Sequence, residues 1–110
     1  MNWNTPGKIL VLLLAIGFSA LSNAETVWID VRTAAEHSED HIEGDILIPH
    51  EEIVGHVSDL FPDKSTEIHL YCRSGGRADN ALEALEAAGY TNVSNAGSIM
   101  DARKERSLGD

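Results

Sequence analysis

A single cysteine, Cys72, occurs among the 110 residues. No disulfide can form within the chain, and no zinc or iron–sulfur site can be built from several cysteines of one copy. Basic residues are also scarce. Eight Lys and Arg stand against eighteen Asp and Glu, for a formal charge of −10. Phosphate backbones need a basic face, so nucleic acid is excluded as the main partner. Docking on anionic lipid is disfavoured for the same reason. There is no apolar run of the roughly 20 residues that a spanning helix needs. Nor is there an internal repeat or a low-complexity stretch. What remains is ordinary globular composition, 43% apolar and 24% charged.

The apolar run Ile9–Phe18 follows Lys8 and precedes Ser22-Asn23-Ala24. A positive start, a short apolar stretch and small residues at the cleavage positions read as a secretory signal peptide over residues 1–24. A retained anchor is the alternative, but the run is short for one. Residues 25–110 are then expected to form a single domain with no membrane association. Export removes Lys8 and no acid, so the mature chain is more acidic still. A lone thiol in an oxidising compartment is a liability unless it is buried or has a task.

The mature chain alternates strand and helix patterns. Thr26–Val31 is β-branched and apolar, as a buried strand would be. Thr33 and Glu36 have capping-box spacing at the start of a short helix ending near Asp40. Asp45–Ile48 reads as a second strand closed by Pro49. Glu51–Phe61 carries apolar residues at helical spacing with Pro62 just beyond it. Glu67–Tyr71 reads as a third strand. A helix follows with Ala78, Ala81, Leu82, Leu85 and Ala88 on one stripe, ended by Gly89. Asn92–Ser94 reads as a strand, Asn95-Ala96-Gly97 as a turn, and Ile99–Arg106 as a last helix. The alternation predicts an α/β fold with a mostly parallel sheet of four to five short strands flanked by helices.

The most informative stretch is the loop Cys72-Arg73-Ser74-Gly75-Gly76-Arg77 between the third strand and the stripe-bearing helix. Open α/β sheets bind ligands outside the carboxyl ends of their strands. Cys72 stands at such an end and just before a helix start, where free N–H groups favour an anion. Gly75 and Gly76 let the backbone curl so that successive N–H groups face one cavity. Arg73 and Arg77 add positive charge. Each feature favours the anionic form of the sulfur. Two chemistries compete for this geometry. Cysteine phosphatases cradle a phosphoryl group with five residues between Cys and Arg. Here four separate Cys72 from Arg77, a tighter ring that better suits one extra sulfur atom on Cys72.

These residues resemble the rhodanese-like sulfurtransferases. Trp28-Ile29-Asp30-Val31-Arg32 is similar to the family's opening strand and Asp-Val-Arg signature, with Glu36 as the acid that follows. His41–Pro49 resembles its His-Ile-x-Gly segment, Tyr71–Arg77 its active loop, and Gly89–Gly97 its closing strand and turn. The similarity spans Thr26–Met100 and is greatest to the exported single-domain type. Asp45 and Leu47 depart from the usual Ala and Asn, which implies a changed local hydrogen-bond pattern. Ser98 replaces a frequent Gly, and Ser74 is neutral where a basic residue can occur.

The resemblance implies a periplasmic thiosulfate sulfurtransferase. Cys72 would take the outer sulfur of thiosulfate, expel sulfite, and pass its persulfide sulfur to cyanide or a thiol. It further implies that Arg73 attracts the sulfonate end of the donor and that loop N–H groups from Arg73 to Arg77 stabilise the persulfide. Arg77 either faces the pocket or braces the loop through a carboxylate. Asp30 and Arg32 organise the scaffold. No metal or organic cofactor is expected, and a monomer is, with a partner protein as a further candidate acceptor. The alternatives are a non-enzymatic sulfur-carrier or binding module and, disfavoured by loop length, a cysteine phosphatase or arsenate-type reductase. His37 and His41 read as part of a solvated acidic helix, His50, His56 and His69 as lacking obvious partners, and Trp28 as core.

Overall fold

A computed structural model of the protein describes residues 26–109. The expected signal peptide, residues 1–24, lies outside them. Among the described residues no helix is long and apolar enough to cross a membrane.

Four strands form one sheet: β1 (Thr26–Asp30), β2 (Ile46–Leu47), β3 (Glu67–Cys72) and β4 (Val93–Ser98). They are ordered β2-β1-β3-β4, and every pairing is parallel. Ile29 lies between Ile46 and Leu70, Asp30 between Leu47 and Tyr71, and Cys72 opposite Ser98. Parallel pairing puts the carboxyl ends of all four strands on one rim, so the segments that follow them meet there.

Among the described residues three α-helices lie between these strands in the chain and a fourth follows β4. They are α1 (Ala34–Glu39), α2 (Ile53–Leu60), α3 (Gly76–Ala87) and α4 (Ile99–Glu105). Side chains alternate across the sheet. Val27, Ile29, Ile68, Leu70 and Cys72 therefore share a face, which packs with Ile53 and Val57 of α2 and Ala78, Ala81 and Leu85 of α3 into the larger core. The opposite face carries Tyr71, which clusters with Ile42 and with Ile99 and Ala102 of α4. Trp28 is half-buried on this smaller side rather than in the main core, its ring between His69 and the Arg106 guanidinium.

Three local expectations need correction. Asn95-Ala96-Gly97 is not a turn but the body of β4. The register passes from Leu70↔Asn95 to Tyr71↔Gly97, so Ala96 is an extra residue in a bulge. Small and polar side chains hid the second half of this strand, beyond the expected Asn92–Ser94, since the bulge breaks the alternation. The segment after Pro49 begins with a 3-10 turn, His50–Glu52, before α2. The Asp45–Ile48 strand contracts to two residues, because only Ile46 and Leu47 pair with β1.

Candidate active site

The thiol is the last residue of β3, and its residue is 1% exposed. Its Sγ accepts the Gly75 N–H at 2.9 Å. Gly75 makes that contact from a left-handed conformation, φ +100° and ψ −20°, at the N-cap of α3. Its own carbonyl accepts the first intrahelical bond, from Asp79 N at 3.0 Å. An L side chain is strained at that φ. Gly76 is different. A Cβ there would meet nothing within 4 Å, and its φ is not positive.

Arg77 lies in the first turn of α3 with its guanidinium on Glu36. Nη1 and Nη2 donate to Oε1 and Oε2 at 2.8 and 2.9 Å. Glu36 is fixed in turn by the capping box of α1, where Thr33 and Glu36 exchange backbone and side-chain hydrogen bonds. Arg77, and after it the Thr33 backbone N–H, hold the Glu36 carboxyl well below the usual carboxylate range. The same bonds push the Arg77 guanidinium further up. Of the two roles open to Arg77 in the sequence, it adopts the bracing one here.

Arg73 points outward. Its side chain is 76% exposed, with Nη1 3.6 Å from Glu36 Oε2. Ser74 is exposed as well. Asp30 and Arg32 form a buried pair on the rim. Arg32 donates through Nε and Nη2 to the two Asp30 oxygens at 2.9 and 2.8 Å, and through its backbone N–H at 3.0 Å. Arg32 Nη2 also reaches the Asp40 carbonyl at 2.6 Å, tying the end of α1 to β1.

Two groups near the loop have partners that the sequence did not show. Asn95 stands in the bulged part of β4 and gives its carboxamide to the loop. Nδ2 donates to the Gly75 carbonyl at 2.9 Å and to Asp79 Oδ1 at 3.0 Å, while Oδ1 accepts the Gly97 N–H at 2.8 Å. Asp45 lies under Tyr71, the neighbour of Cys72. The Tyr71 hydroxyl donates to Asp45 Oδ2 at 2.7 Å, and Arg106 donates twice to the same carboxylate at 2.7 and 3.0 Å. Burial, and then the Asp45 contact, push the Tyr71 hydroxyl well above its ordinary value. The departure at position 45 thus supplies a buried anion that ties β3 to α4.

The histidines are not alone. His69 stacks on Trp28 at 4.4 Å and contacts Glu67 and Ser94. His56 and His50 face Glu52 and Glu51. His37 and His41 stack at 4.2 Å, with His41 Nε2 on Glu43. Among the described residues no group of three His, Cys, Asp or Glu could hold a metal ion.

Comparison with known proteins finds relatives over most of the chain. The family model for the rhodanese-like domain matches residues 17–105. The thiosulfate sulfurtransferase PspE of Escherichia coli (strain K12) is 37% identical over 91 residues, covering 83% of this chain and 88% of the relative. A solved E. coli rhodanese with anions superposes with a TM-score of 0.66 at 36% identity, over 70% of this chain and 91% of that one. The rhodanese-like domain of an Anabaena protein superposes at 0.67 with 26% identity, over 84% and 88% of the two chains.

Proposed function

The chain belongs to the rhodanese-like domain family, and from that premise we propose that it is a thiosulfate sulfurtransferase with Cys72 as its sulfur-carrying nucleophile. The observation that carries this reading is the 2.9 Å contact from the Gly75 N–H to Cys72 Sγ at the carboxyl end of a parallel strand. A donor aimed at Sγ stabilises negative charge there, on the attacking thiolate and again as that thiolate is released in the second half-reaction. The relative named thiosulfate sulfurtransferase supports the choice of donor.

Two half-reactions follow. The Cys72 thiolate attacks the outer sulfur of thiosulfate, and the sulfur–sulfur bond breaks with its electron pair leaving on sulfite. The Cys72 persulfide is then attacked at its terminal sulfur by cyanide or a thiolate, which departs as thiocyanate or a new persulfide and regenerates the Cys72 thiolate. This is covalent catalysis of ping-pong type. Arg73, exposed at the rim, meets the sulfonate end of the donor. Arg77 acts through Glu36 as a brace. The loop from Arg73 to Arg77 encloses the sulfur, and Asp30 with Arg32 supports the rim beside it. The chain holds no second cysteine, so the sulfur leaves to an acceptor from outside, a small molecule or a partner protein. The expected signal peptide places the reaction in the periplasm, after cleavage behind Ala24.

Intact mass before and after thiosulfate tests the reading. The expected result is a gain of one sulfur atom that cyanide reverses and that Cys72→Ser abolishes. No gain on a reduced, accessible thiol would reject thiosulfate as the donor. Loading without turnover on cyanide or small thiols would make the protein a carrier rather than an enzyme.

A further inference from the structure

The loop that carries Cys72 is held from both sides. On one side Arg77 is tied to Glu36. On the other the side chain of Asn95, a residue of the bulged strand β4, donates to the Gly75 carbonyl. Gly75 is the residue whose N–H meets the sulfur and whose backbone is left-handed. A glycine enters this conformation without strain but is not confined to it, since it populates positive and negative φ about equally. Something outside it must select this state.

We propose that Asn95 is a positioning residue for the sulfur-transfer site, acting on Cys72 through Gly75. This rests on the reading of Cys72 given above. The carboxamide suits the task because it is donor and acceptor at once. Nδ2 serves the Gly75 carbonyl and the Asp79 carboxylate, and Oδ1 serves the Gly97 N–H. The Gly75 N–H belongs to the peptide before it and the carbonyl to the peptide after it, so the Asn95 bond holds one side of the φ/ψ pair whose other side presents the N–H to Cys72 Sγ. The β4 bulge makes this reach available. Ala96 is the extra residue, Gly97 has φ +99°, and an ideal Cβ on Gly75 would lie 3.7 Å from Gly97 Cα. The two backbones approach closely enough for one short side chain to span them. The Asn95 hydrogen bonds go to Gly75, Asp79 and Gly97 and not to the sulfur, so its effect is on geometry.

Asn95→Asp keeps the shape and the acceptor for Gly97 but sets an anion against the Gly75 carbonyl and the Asp79 carboxylate. Sulfur loading from thiosulfate, followed by quenched intact mass, is expected to slow roughly tenfold at saturating donor. Half-saturation should change little. Alkylation of Cys72 by iodoacetamide at a fixed pH should slow as well.

The double variant Asn95→Asp with Asp79→Asn exchanges donor and acceptor between the two side chains and keeps the net charge. It restores their mutual contact but not the hold on Gly75. Its melting temperature should return towards that of the unmodified protein while loading stays slow. Asn95→Ala provides the same test if the charged variant does not fold. Loading and alkylation rates like those of the unmodified protein in Asn95→Ala or Asn95→Asp would overturn the proposal. So would full recovery of loading in the double variant, because the residue would then be purely structural. Cys72→Ser separates this failure from that of the underlying reading. If that variant still takes up sulfur, Cys72 is not the nucleophile; if it does not while the Asn95 variants load normally, only the role of Asn95 falls.

Discussion

Glu36 and Arg77, forty-one positions apart, are joined by two parallel hydrogen bonds of 2.8 and 2.9 Å. The pair links the first turn of α1 to the first turn of α3 and so closes the rim beside Cys72. A bidentate carboxylate–guanidinium contact has geometric specificity that a single point charge lacks. Arg77→Lys is therefore expected to slow sulfur transfer several-fold despite keeping the charge, while Arg77→Ala slows it further. Steady-state kinetics with thiosulfate and cyanide would check the order.

The same pair gives the protein an acid-sensitive element. The Glu36 carboxyl is held below its ordinary range by Arg77 and then by the Thr33 N–H. A depressed folded-state pKa contributes stability that is fully present above the unfolded value and is lost as pH falls through the folded one. Near neutral pH, Glu36→Gln should destabilise the fold by about 1.5–3 kcal/mol, the range for hydrogen bonds to charged groups. Below about pH 4, where an ordinary glutamate protonates, the gap between variant and unmodified protein should narrow steadily. Urea denaturation across that range measures it. A gap that stays constant with pH would mean that Glu36 does not titrate as its contacts require.

Gly75 and Gly76 are adjacent in sequence but differ in what they tolerate. Gly75→Ala puts a Cβ at φ +100°, which is strained by roughly 1–2 kcal/mol and turns the N–H away from Cys72. Gly76→Ala meets no atom within 4 Å and sits in a helix. Its stability should match or exceed that of the unmodified protein, by up to about 1 kcal/mol. Thermal melts of the two variants give the comparison, and sulfur loading should fail in the first of them.

The loop from Cys72 to Arg77 was legible because its residues are contiguous and each has a local physical reason. Glycines permit the curl, a helix start follows, and the strand before it is apolar. The α1 capping box was legible for the same reason, since Thr33 and Glu36 are three apart. What stayed hidden depends on distant partners. Nothing near Arg77 says that it pairs with Glu36 rather than facing the sulfur. Asn95 was masked by a bulge, which removes the alternation by which a strand is recognised. Asp45 could be seen as a departure, but its partners, Tyr71 and Arg106, lie 26 and 61 positions away.

Arg73 separates charge from structure. Its side chain is 76% exposed and makes only a 3.6 Å approach to Glu36. Exposed pairs of this kind contribute about 0–1 kcal/mol. Arg73→Ala should therefore leave the melting temperature nearly unchanged while raising the half-saturation concentration for thiosulfate. The increase should shrink at high salt, since a solvent-exposed charge is screened. An unchanged response to thiosulfate at low salt would remove Arg73 from donor recognition.

Asp45 offers the opposite case, a residue expected to matter for stability and not for chemistry. Its side chain is 6% exposed and carries the Tyr71 hydroxyl and both Arg106 contacts. Asp45→Ala leaves a guanidinium beside the Trp28 ring and a buried hydroxyl without their acceptor. The loss is expected to be about 2–3 kcal/mol, because a charged hydrogen-bonding group is left unmatched. Tyr71→Phe removes only the hydroxyl and leaves the Asp45–Arg106 pair intact, so it should lose about 1 kcal/mol or less. Both changes lie on the face of the sheet away from the sulfur. Cys72 points with Ile68 and Leu70 into the other layer. Denaturation midpoints should therefore fall in the order Tyr71→Phe, then Asp45→Ala, while sulfur loading per folded molecule stays constant. A drop in loading by the folded Asp45→Ala protein would show that the anchor under Tyr71 also sets the position of Cys72.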